Sequence, residues 1–384
     1  MTAGKVSQNA DIGHFYLKSK QDYPIGLHLR HTFVPSIKTN DIMYKLKPIT
    51  SMVLAGMATI PLICCLSCGT AKSSKTMSVE DNNRSPQEIF YADPTVFVEN
   101  NKFYLTGTRN REPLGFALLE SEDMKTWHPA KADSMILIAG NGSFGNKGFW
   151  APQIIKSGDE YWLTYTANEQ TVFAQSDSLA GLYTQTEISP IDGSEKNIDS
   201  FLFKDDDGKW YLYHVRFDHG NFLWVAEFNP QTGKIVDGTL TRCFKNDQAW
   251  EATPAYDSAP IMEGPTVIKL DGKYYLFYSA NHFMSPDYAV GYATADSPMG
   301  PWTKNPDNPI IHQNIVGEKG SGHGDIFQDA NGNYRYVYHV HNSDSVVSPR
   351  RTRIVSLLFD KEPQTGIYRI KADKESIIKP HMGN

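Results

Sequence analysis

The chain repeats one pattern of residues five times between residues 92 and 341. Each copy starts with an acidic or polar residue beside Pro or Gly, continues as a short apolar strand, turns at Gly, Asn or Asp, and ends as an aromatic-rich strand. The copies start at Asp93-Pro94, Trp150-Ala151-Pro152, Asp199-Ser200, Glu263-Gly264-Pro265 and His323-Gly324. A repeat of this size is typical of a β-propeller, because each small sheet buries both faces only when it stacks on its neighbours. The sequence therefore predicts an all-β fold, a single five-bladed β-propeller.

Turn chemistry predicts the strand pairs inside each copy. Runs of β-prone residues flank Asn100-Asn101, Asp207-Gly208 and Asp271-Gly272, which are pairs that favour short hairpin turns. No long amphipathic helix pattern interrupts the repeats. Because the first strand of each propeller blade lines the central axis, we expect the starts of the five copies to converge on one cavity.

Composition and charge limit the classes of function. The chain has 384 residues, of which 40% are hydrophobic, so it is long enough to bury a sizeable core. Its net charge is -6 and its basic residues are scattered, so it lacks the positive face that phosphate backbones require. We therefore expect no nucleic-acid partner.

The first part of the chain has the pattern of an export signal. Residues 49–66 form an apolar run that follows Lys45 and Lys47, as a hydrophobic segment follows a positive one in secretion signals. The run ends at Leu66-Ser67-Cys68-Gly69, which resembles a bacterial lipobox, in which the cysteine carries a lipid. The alternatives for this run are a transmembrane anchor, for which it is near the lower limit of length, or a buried helix. A disulfide framework is excluded, because three of the four cysteines lie in this short stretch.

These features divide the chain into four predicted parts. They are residues 1–42, a disordered and misassigned extension upstream of a true start at Met43; residues 43–68, a signal peptide with a lipobox-like end; residues 69–87, a flexible linker; and residues 88–384, the catalytic propeller. The protein is therefore expected outside the cytoplasm, in the periplasm, on the outer membrane as a lipoprotein, or secreted. Membrane contact is expected only through the N-terminal lipid.

Three of the converging residues are carboxylates. Asp93, Asp199 and Glu263 would face one cavity, where like charges and burial raise one another's pKa values. Proteins accept that cost mainly where a proton is held and delivered near neutral pH. Hydrolysis of a glycosidic bond needs this arrangement, because one acid protonates the leaving oxygen and one base acts on the opposite face. The alternative for each residue alone is a turn carboxylate bonded to backbone amides.

The starts of the copies resemble those of glycoside hydrolase family 43 over about residues 88 to 360. The resemblance rests on Ala92-Asp93-Pro94, Phe149-Trp150-Ala151-Pro152, Ile198-Asp199, Glu263-Gly264-Pro265 and Gly322-His323-Gly324, one per repeat and in that order. It implies an inverting site with Asp93 as general base, Glu263 as general acid, and Asp199 as the carboxylate that orients Glu263 and tunes its pKa. An inverting pair stands about 6.5–9.5 Å apart. The chain departs from the family pattern at Ser200, where a proline is usual.

The resemblance also implies substrate-binding residues around the acids. Trp150 is predicted to be an aromatic platform for a sugar ring, and Phe149 either a second platform or part of the core. His323 is predicted to lie under the sugar, either near a structural calcium ion through water or as a core histidine. Arg351, or Arg353, is predicted to bind substrate. No organic cofactor is implied.

We therefore expect an inverting hydrolase that releases a terminal pentose, α-L-arabinofuranose or β-D-xylose, from plant polysaccharides or oligosaccharides. The alternatives are action on galactose-containing chains, internal cleavage of arabinan, or a propeller that binds carbohydrate without cleaving it. Retaining fructan-cleaving propellers are a further alternative, but they would show Asn-Asp-Pro-Asn where this chain has Ala92-Asp93-Pro94-Thr95. A noncatalytic protein-interaction propeller would not need three axial carboxylates.

Overall fold

The computed structural model describes residues 87–256 and 259–383, which form a five-bladed β-propeller. Blade 1 contains strands Ala92–Glu99, Lys102–Thr108, Leu119–Ser121, Thr126–Pro129 and His381–Met382. Blade 2 contains Trp150–Ser157, Glu160–Ala167 and Gln170–Ser176. Blade 3 contains Asn197–Lys204, Trp210–Phe217, Asn221–Asn229, Lys234–Ile235 and Thr241–Arg242. The predicted five-bladed all-β fold is confirmed.

The remaining elements complete the ring. Blade 4 contains strands Met262–Leu270, Lys273–Ala280, Ala289–Ala295 and Thr303–Lys304. Blade 5 contains Gly322–Gln328, Tyr334–Val340, Arg351–Lys361 and Tyr368–Ile378. A separate two-stranded sheet pairs Gly115–Ala117 with Met135–Ile138. The helical segments are short: two 3-10 turns, Ala249–Glu251 and Pro254–Tyr256, and one α-helical turn, Gln313–Val316.

The hairpins form where the turn residues predicted them. The first two strands of blade 1 are joined by Asn100 and Asn101, with φ values of 52° and 62°. Those of blade 4 are joined by Asp271 and Gly272, with φ values of 49° and 79°. Positive φ at both central residues matches the right-handed twist of the flanking strands, which explains why Asn, Asp and Gly occur there.

The aromatic second strands form the core between blades. Tyr165, Tyr213, Phe277 and Tyr338 are all 0% exposed, because they are enclosed between neighbouring blades. Phe277 and Tyr338 belong to one apolar cluster that joins blades 4 and 5. Burial of each such ring contributes about 1.5–3 kcal/mol to the free energy of folding, so these contacts stabilise the ring of blades.

Every inner strand contains a β-bulge at its start, and the bulged residue has a left-handed backbone. The five equivalent residues are Asp93, Ala151, Asp199, Gly264 and His323, with φ values of 47°, 44°, 55°, 63° and 40°. Glu263 therefore occupies the position before the bulged residue, and Trp150 occupies the same position in blade 2. A bulge changes the direction of side chains relative to a regular strand. The side chains of the acidic residues therefore do not follow the alternation between the two faces of the sheet.

The ring closes between its last and first blades. The strand His381–Met382 pairs in parallel with Thr126–Trp127 of blade 1. The amide of Met382 donates a hydrogen bond of 2.8 Å to the carbonyl of Gln87. The segment after Gln87 then crosses to blade 5, where the amide of Thr352 donates to the carbonyl of Ile89 at 3.0 Å. Both ends of the described chain thus tie blade 5 to blade 1.

The predicted extension (1–42), signal peptide (43–68) and linker (69–87) lie outside the described residues except for Gln87. They stay predictions. Among the residues that the structure describes, none belongs to a helix long and apolar enough to cross a membrane.

Candidate active site

The bulged residues surround a cavity of about 20 Å³ on the propeller axis. His323 stands between the carboxylates there: its Nδ1 lies 3.4 Å from Oδ1 of Asp93 and 3.9 Å from Oδ2 of Asp199. Burial alone would lower the pKa of His323, but the negative charges of Asp93, Asp199 and Glu263 raise it above its ordinary value. The structure therefore brings Asp93 and Asp199 together around one imidazole, which also lies within the field of the Glu263 charge.

Asp93 is held as an ionised carboxylate. The residue is 8% exposed, and its burial opposes ionisation. Arg350 donates to Oδ1 at 3.1 Å and Thr108 donates to Oδ2 at 2.7 Å. The positive charge of Arg350, with that of His323 and the bond from Thr108, outweighs burial and holds the pKa of Asp93 well below its usual range. An ionised carboxylate at the axis is the form that a general base requires.

Asp199 has the opposite electrostatic character. Burial, strengthened by the charges of Glu263 and Asp93, raises the pKa of Asp199 to about 7, against the opposing effects of His323 and of a backbone hydrogen bond from Gly264. That hydrogen bond joins the Gly264 amide to Oδ2 at 3.4 Å. Asp199 is thus a carboxyl that gains and loses a proton near neutral pH, beside the peptide that carries Glu263. Ser200 does not move it away from the axis.

Glu263 is oriented by a tyrosine in its own blade. The buried hydroxyl of Tyr288 donates to Oε1 of Glu263 at 2.8 Å. Burial first, and then the charges of Glu263, Asp93 and Asp199, raise the pKa of Tyr288 well above its ordinary value, so it stays a neutral donor. When Oε1 accepts this bond, the proton of a neutral Glu263 belongs on Oε2. The carboxyl is therefore arranged to donate from one defined oxygen.

Glycines around the acids permit close packing. A Cβ on Gly264 would lie 2.7 Å from the His323 ring, and Gly264 also has a φ of 63°. A Cβ on Gly322 would lie 2.2 Å from the ring of Tyr288. The Glu-Gly and Gly-His pairs of the repeat starts are thus explained, because any larger side chain would push His323 or Tyr288 out of place.

A side chain from the preceding blade captures the amide of each bulged residue, with one exception. Thr108 accepts from Ala151 at 2.9 Å, Thr166 from Asp199 at 2.9 Å, Ser279 from His323 at 2.7 Å and His339 from Asp93 at 3.1 Å. In blade 3 the equivalent residue is Val215, paired with Ile198, and it offers no acceptor. The amide of Gly264 turns to the Asp199 carboxylate instead. The exception supplies the contact between Asp199 and the peptide of Glu263.

The arginine at the site is Arg350, and the predicted Arg351 lies elsewhere. The guanidinium of Arg351 contacts Glu318 Oε1 at 3.0 Å and the carbonyl of His341 at 3.0 Å. Arg353 also pairs with Glu318. Arg350 lies just before the strand, where its guanidinium reaches Asp93 and stacks 4.7 Å from the centre of the Phe283 ring. Arg351 and Arg353 are two residues apart on the strand that begins at Arg351, so their side chains share one face, which is directed away from the axis.

The two predicted aromatic platforms have different surroundings. Phe149 is 3% exposed and packs against Phe116 and Tyr165, so its ring belongs to the core and not to a substrate surface. Trp150 is half-buried and shares the strand position of Glu263. Of the two, Trp150 therefore stays the candidate for contact with a sugar ring.

The side chains at the axis do not fit a directly bound calcium ion. Calcium takes six to eight oxygen ligands. Asp325, two residues after His323, already accepts hydrogen bonds from the hydroxyl groups of Thr95 and Thr266, each at 2.6 Å. Within residues 87–256 and 259–383 no three His, Cys, Asp or Glu side chains are arranged to hold a metal. An ion at this place would have to be held largely through water.

Sequence reasoning missed Tyr288, His339 and Arg350. Tyr288 and His339 stack with ring centres 5.7 Å apart, so they link the surroundings of Glu263 to those of Asp93. None of the three lies at the start of a repeat, which is where the sequence pattern drew attention. A sequence signal was present only for His339, a histidine in a strand whose other residues, apart from Arg335, are apolar or aromatic.

Comparisons with known proteins agree with the propeller fold. The profile of glycosyl hydrolases family 43 matches residues 86–362. A crystal structure described as an endo-1,4-β-xylanase from Bacteroides thetaiotaomicron has a TM-score of 0.70 and 38% identity, covering 77% of this chain and 98% of that one.

Two curated proteins are more distant. A β-D-galactofuranosidase of Aspergillus niger is 24% identical over 330 residues, which are 80% of this chain and 91% of that protein. A xylosidase/arabinosidase of Humicola insolens is 25% identical over 270 residues, which are 65% of this chain. The chain spans about half the length of that second protein, 47%.

Proposed function

This chain belongs to glycoside hydrolase family 43, and from that premise we propose that it releases a terminal pentose, α-L-arabinofuranose or β-D-xylose, from a polysaccharide or oligosaccharide with inversion. The observation that carries the proposal is the pairing of an ionised Asp93 with a Tyr288-oriented Glu263. The two acids rise from blades 1 and 4, which are not neighbours in the ring. They therefore face the axis from different walls, as an acid and a base must in single displacement.

In the proposed reaction the base side begins with Asp93. A water held against its carboxylate loses a proton to Asp93 as its oxygen attacks the anomeric carbon. Arg350 and Thr108 hold both carboxylate oxygens, so the group keeps one orientation while it accepts the proton. Because burial removes competing water, these fixed hydrogen bonds act in a low dielectric.

On the acid side Glu263 protonates the departing oxygen. The proton leaves Oε2, because Oε1 accepts from Tyr288. Asp199 contacts the Gly264 amide, next to Glu263, and lies near His323. Its pKa is raised to about 7, so it titrates near neutral pH. It is therefore placed to balance the change in charge when Glu263 gives up its proton.

The test is hydrolysis of aryl α-L-arabinofuranoside, β-D-xyloside and β-D-galactofuranoside, with the anomer of the first product followed by NMR. We expect a pentoside to be cleaved with inversion, and Glu263→Gln to lose most of its activity on the substrates whose leaving group needs a proton. Retention of configuration would contradict the proposed roles. Sugar binding by the wild type without hydrolysis of any substrate would favour the noncatalytic alternative.

Internal cleavage of xylan is a second candidate, because the Bacteroides structure with 38% identity is described as an endo-1,4-β-xylanase. Sizes of the products from xylan separate the two candidates. Release of pentose alone supports action at chain ends, and early accumulation of oligosaccharides supports internal cleavage.

Calcium and export are separate proposals. A calcium ion near the axis would be held mostly by water, and elemental analysis of the purified protein before and after dialysis against EDTA tests for it. Export as a lipoprotein predicts incorporation of labelled palmitate into the precursor, and its loss in Cys68→Ala. A labelled Cys68→Ala variant would contradict the lipobox.

A further inference from the structure

The structure contains a second and larger cavity, of about 720 Å³. It lies beside blade 1, under the segment that follows Gln87, and it shares Thr108 and Arg350 with the surroundings of Asp93. None of its lining residues comes from blades 2, 3 or 4. The cavity therefore opens on the side of the general base, away from Glu263.

The lining of this cavity is cationic. It includes Arg109, Arg111 and Arg350, and its acidic side chain, Glu88, is already paired with Arg351 and Arg353. Arg350 is engaged with Asp93, but the other two arginines form no ion pair with a described carboxylate. Two guanidinium groups beside one cavity repel each other unless an anion joins them.

Arg109 is the less usual of the two. It is 8% exposed, its hydrogen bonds go to the sulfur of Met135 and the carbonyl of Glu112, and its Nε has no partner. Burial, and then the charge of Arg111, lower the pKa of Arg109. A buried guanidinium without a carboxylate is costly, and proteins keep such groups mainly where a ligand completes them.

An aromatic side chain completes the lining. Phe90 is 38% exposed and lies at the same cavity as the arginines. Aromatic faces pack against the C–H faces of sugars, while the planar guanidinium pairs with a carboxylate through two parallel hydrogen bonds. The combination suits a sugar that carries a carboxylate, which is a uronic acid.

We propose that the cavity lined by Arg109, Arg111 and Phe90 is a subsite for a uronosyl unit of the carbohydrate substrate. The inference rests on the proposed glycosidase activity for the position of the subsite. Its ligand, however, is tested without catalysis.

The first experiment measures binding by calorimetry to the full chain carrying Glu263→Gln, which cannot turn over. Its probes are the methyl glycosides of glucuronic and galacturonic acid, with methyl β-D-xyloside and a sulfated xyloside for comparison. We expect a uronoside to bind at least tenfold more tightly than the neutral glycoside, with affinity that falls as salt rises. Equal binding of the neutral and acidic sugars, or binding of the sulfated sugar alone, would overturn the proposal.

The second experiment adds Arg111→Gln to the same background, since Arg111 is exposed and its loss leaves the core intact. The matched control is Arg369→Gln, an exposed arginine on the last strand of blade 5. Uronoside affinity should fall about tenfold in the first variant and stay unchanged in the control. Unchanged affinity in Arg111→Gln would refute the subsite, whereas a failure of the glycosidase proposal would appear only in the hydrolysis assay.

Discussion

At the scale of single residues, the contrast between Asp93 and Asp199 shows how one imidazole can separate two carboxyls. Both aspartates are buried and both approach His323. Asp93 also receives Arg350, whereas Asp199 receives only a long backbone hydrogen bond. A full positive charge is worth more than a dipole in a buried site, so one carboxyl is ionised and the other titrates near neutrality.

Replacement of Glu263 by Ala should slow hydrolysis by an amount that depends on the leaving group. A poor leaving group needs its oxygen protonated, so we expect a loss of at least about a hundredfold in kcat/KM, while an activated dinitrophenyl group loses little. Steady-state kinetics on a series of aryl pentosides measure how kcat/KM depends on the pKa of the leaving group. Glu187→Ala, at an exposed glutamate, is the control. Equal losses across the series would rule out Glu263 as the acid.

His214 should make the fold sensitive to acid. It is 1% exposed, and burial, with the charge of Arg216, lowers the pKa of His214 to about 4, against the opposing effect of a backbone hydrogen bond at Leu212. Between pH 6.5 and 4, His214 binds a proton in the unfolded chain but stays neutral in the folded chain. The contribution of neutral His214 to the free energy of unfolding is therefore present above pH 6.5 and is lost as the pH falls. The free energy of unfolding should fall between pH 7 and 4.5, and we expect His214→Leu to make this fall smaller by about 2–3 kcal/mol.

Urea unfolding at both pH values measures the effect of His214→Leu. The control is His219→Asn, because His219 is exposed and Asn tolerates its φ of 52°. If wild type and His214→Leu lose the same stability on acidification, the titration of His214 does not contribute.

At the scale of elements, the bulged inner strand is the unit that builds the site. Each bulge places one left-handed residue at the axis, and in four of the five blades a hydroxyl or imidazole of the preceding blade binds its amide. Aspartate and histidine are among the residues that accept positive φ most readily, so the chemistry-bearing residues also suit the backbone. The blades are thereby tied to each other at the same level as the acids.

Restoring the missing acceptor with Val215→Thr should change the titration of Asp199. The introduced hydroxyl would accept the Gly264 amide, as Thr108 and Thr166 accept theirs, and Asp199 would lose that donor. Since this bond lowers the pKa of Asp199, we expect the limb of the kcat/KM profile near pH 7 to move upward by several tenths of a pH unit. Val225→Thr, at a buried valine of the same blade, should leave the profile in place. An unmoved limb in Val215→Thr would contradict the exchange of partners.

The limits of sequence reasoning are also set at this scale. Hairpins and the convergence of repeat starts follow from turn residues and from the period. The residue that occupies the bulged position in each blade does not follow from them, because a bulge inserts one residue that the sequence pattern does not reveal. The equivalents of Asp93 are Ala151 and Gly264, rather than Pro152 and Glu263. The same one-residue uncertainty placed the arginine at 351 instead of 350. Partners such as Tyr288 come from other strands and depend on packing alone.

At the scale of the whole molecule, ring closure depends on a few hydrogen bonds. The amides of His381, Met382 and Gly383 donate to Lys125, Gln87 and Trp127 at 2.9, 2.8 and 2.8 Å. A chain that ends at Pro380 loses all three, and at about 1 kcal/mol each its free energy of unfolding should fall by about 3 kcal/mol. Thermal unfolding should show a Tm lower by several degrees than that of a chain ending at Gly383. Identical Tm values would mean that these three hydrogen bonds add nothing to the closure between blades 5 and 1.

The bond between Met382 and Gln87 brings two distant parts of the chain side by side, and this makes the wheel a candidate for circular permutation. A short glycine-serine bridge from Gly383 to Gln87 would turn the ring into a continuous loop of backbone. New ends opened at the exposed Gly158-Asp159 turn would then lie far along the chain from Asp93. Asp93 would then lie in the interior of the permuted polypeptide, with unbroken chain on both sides.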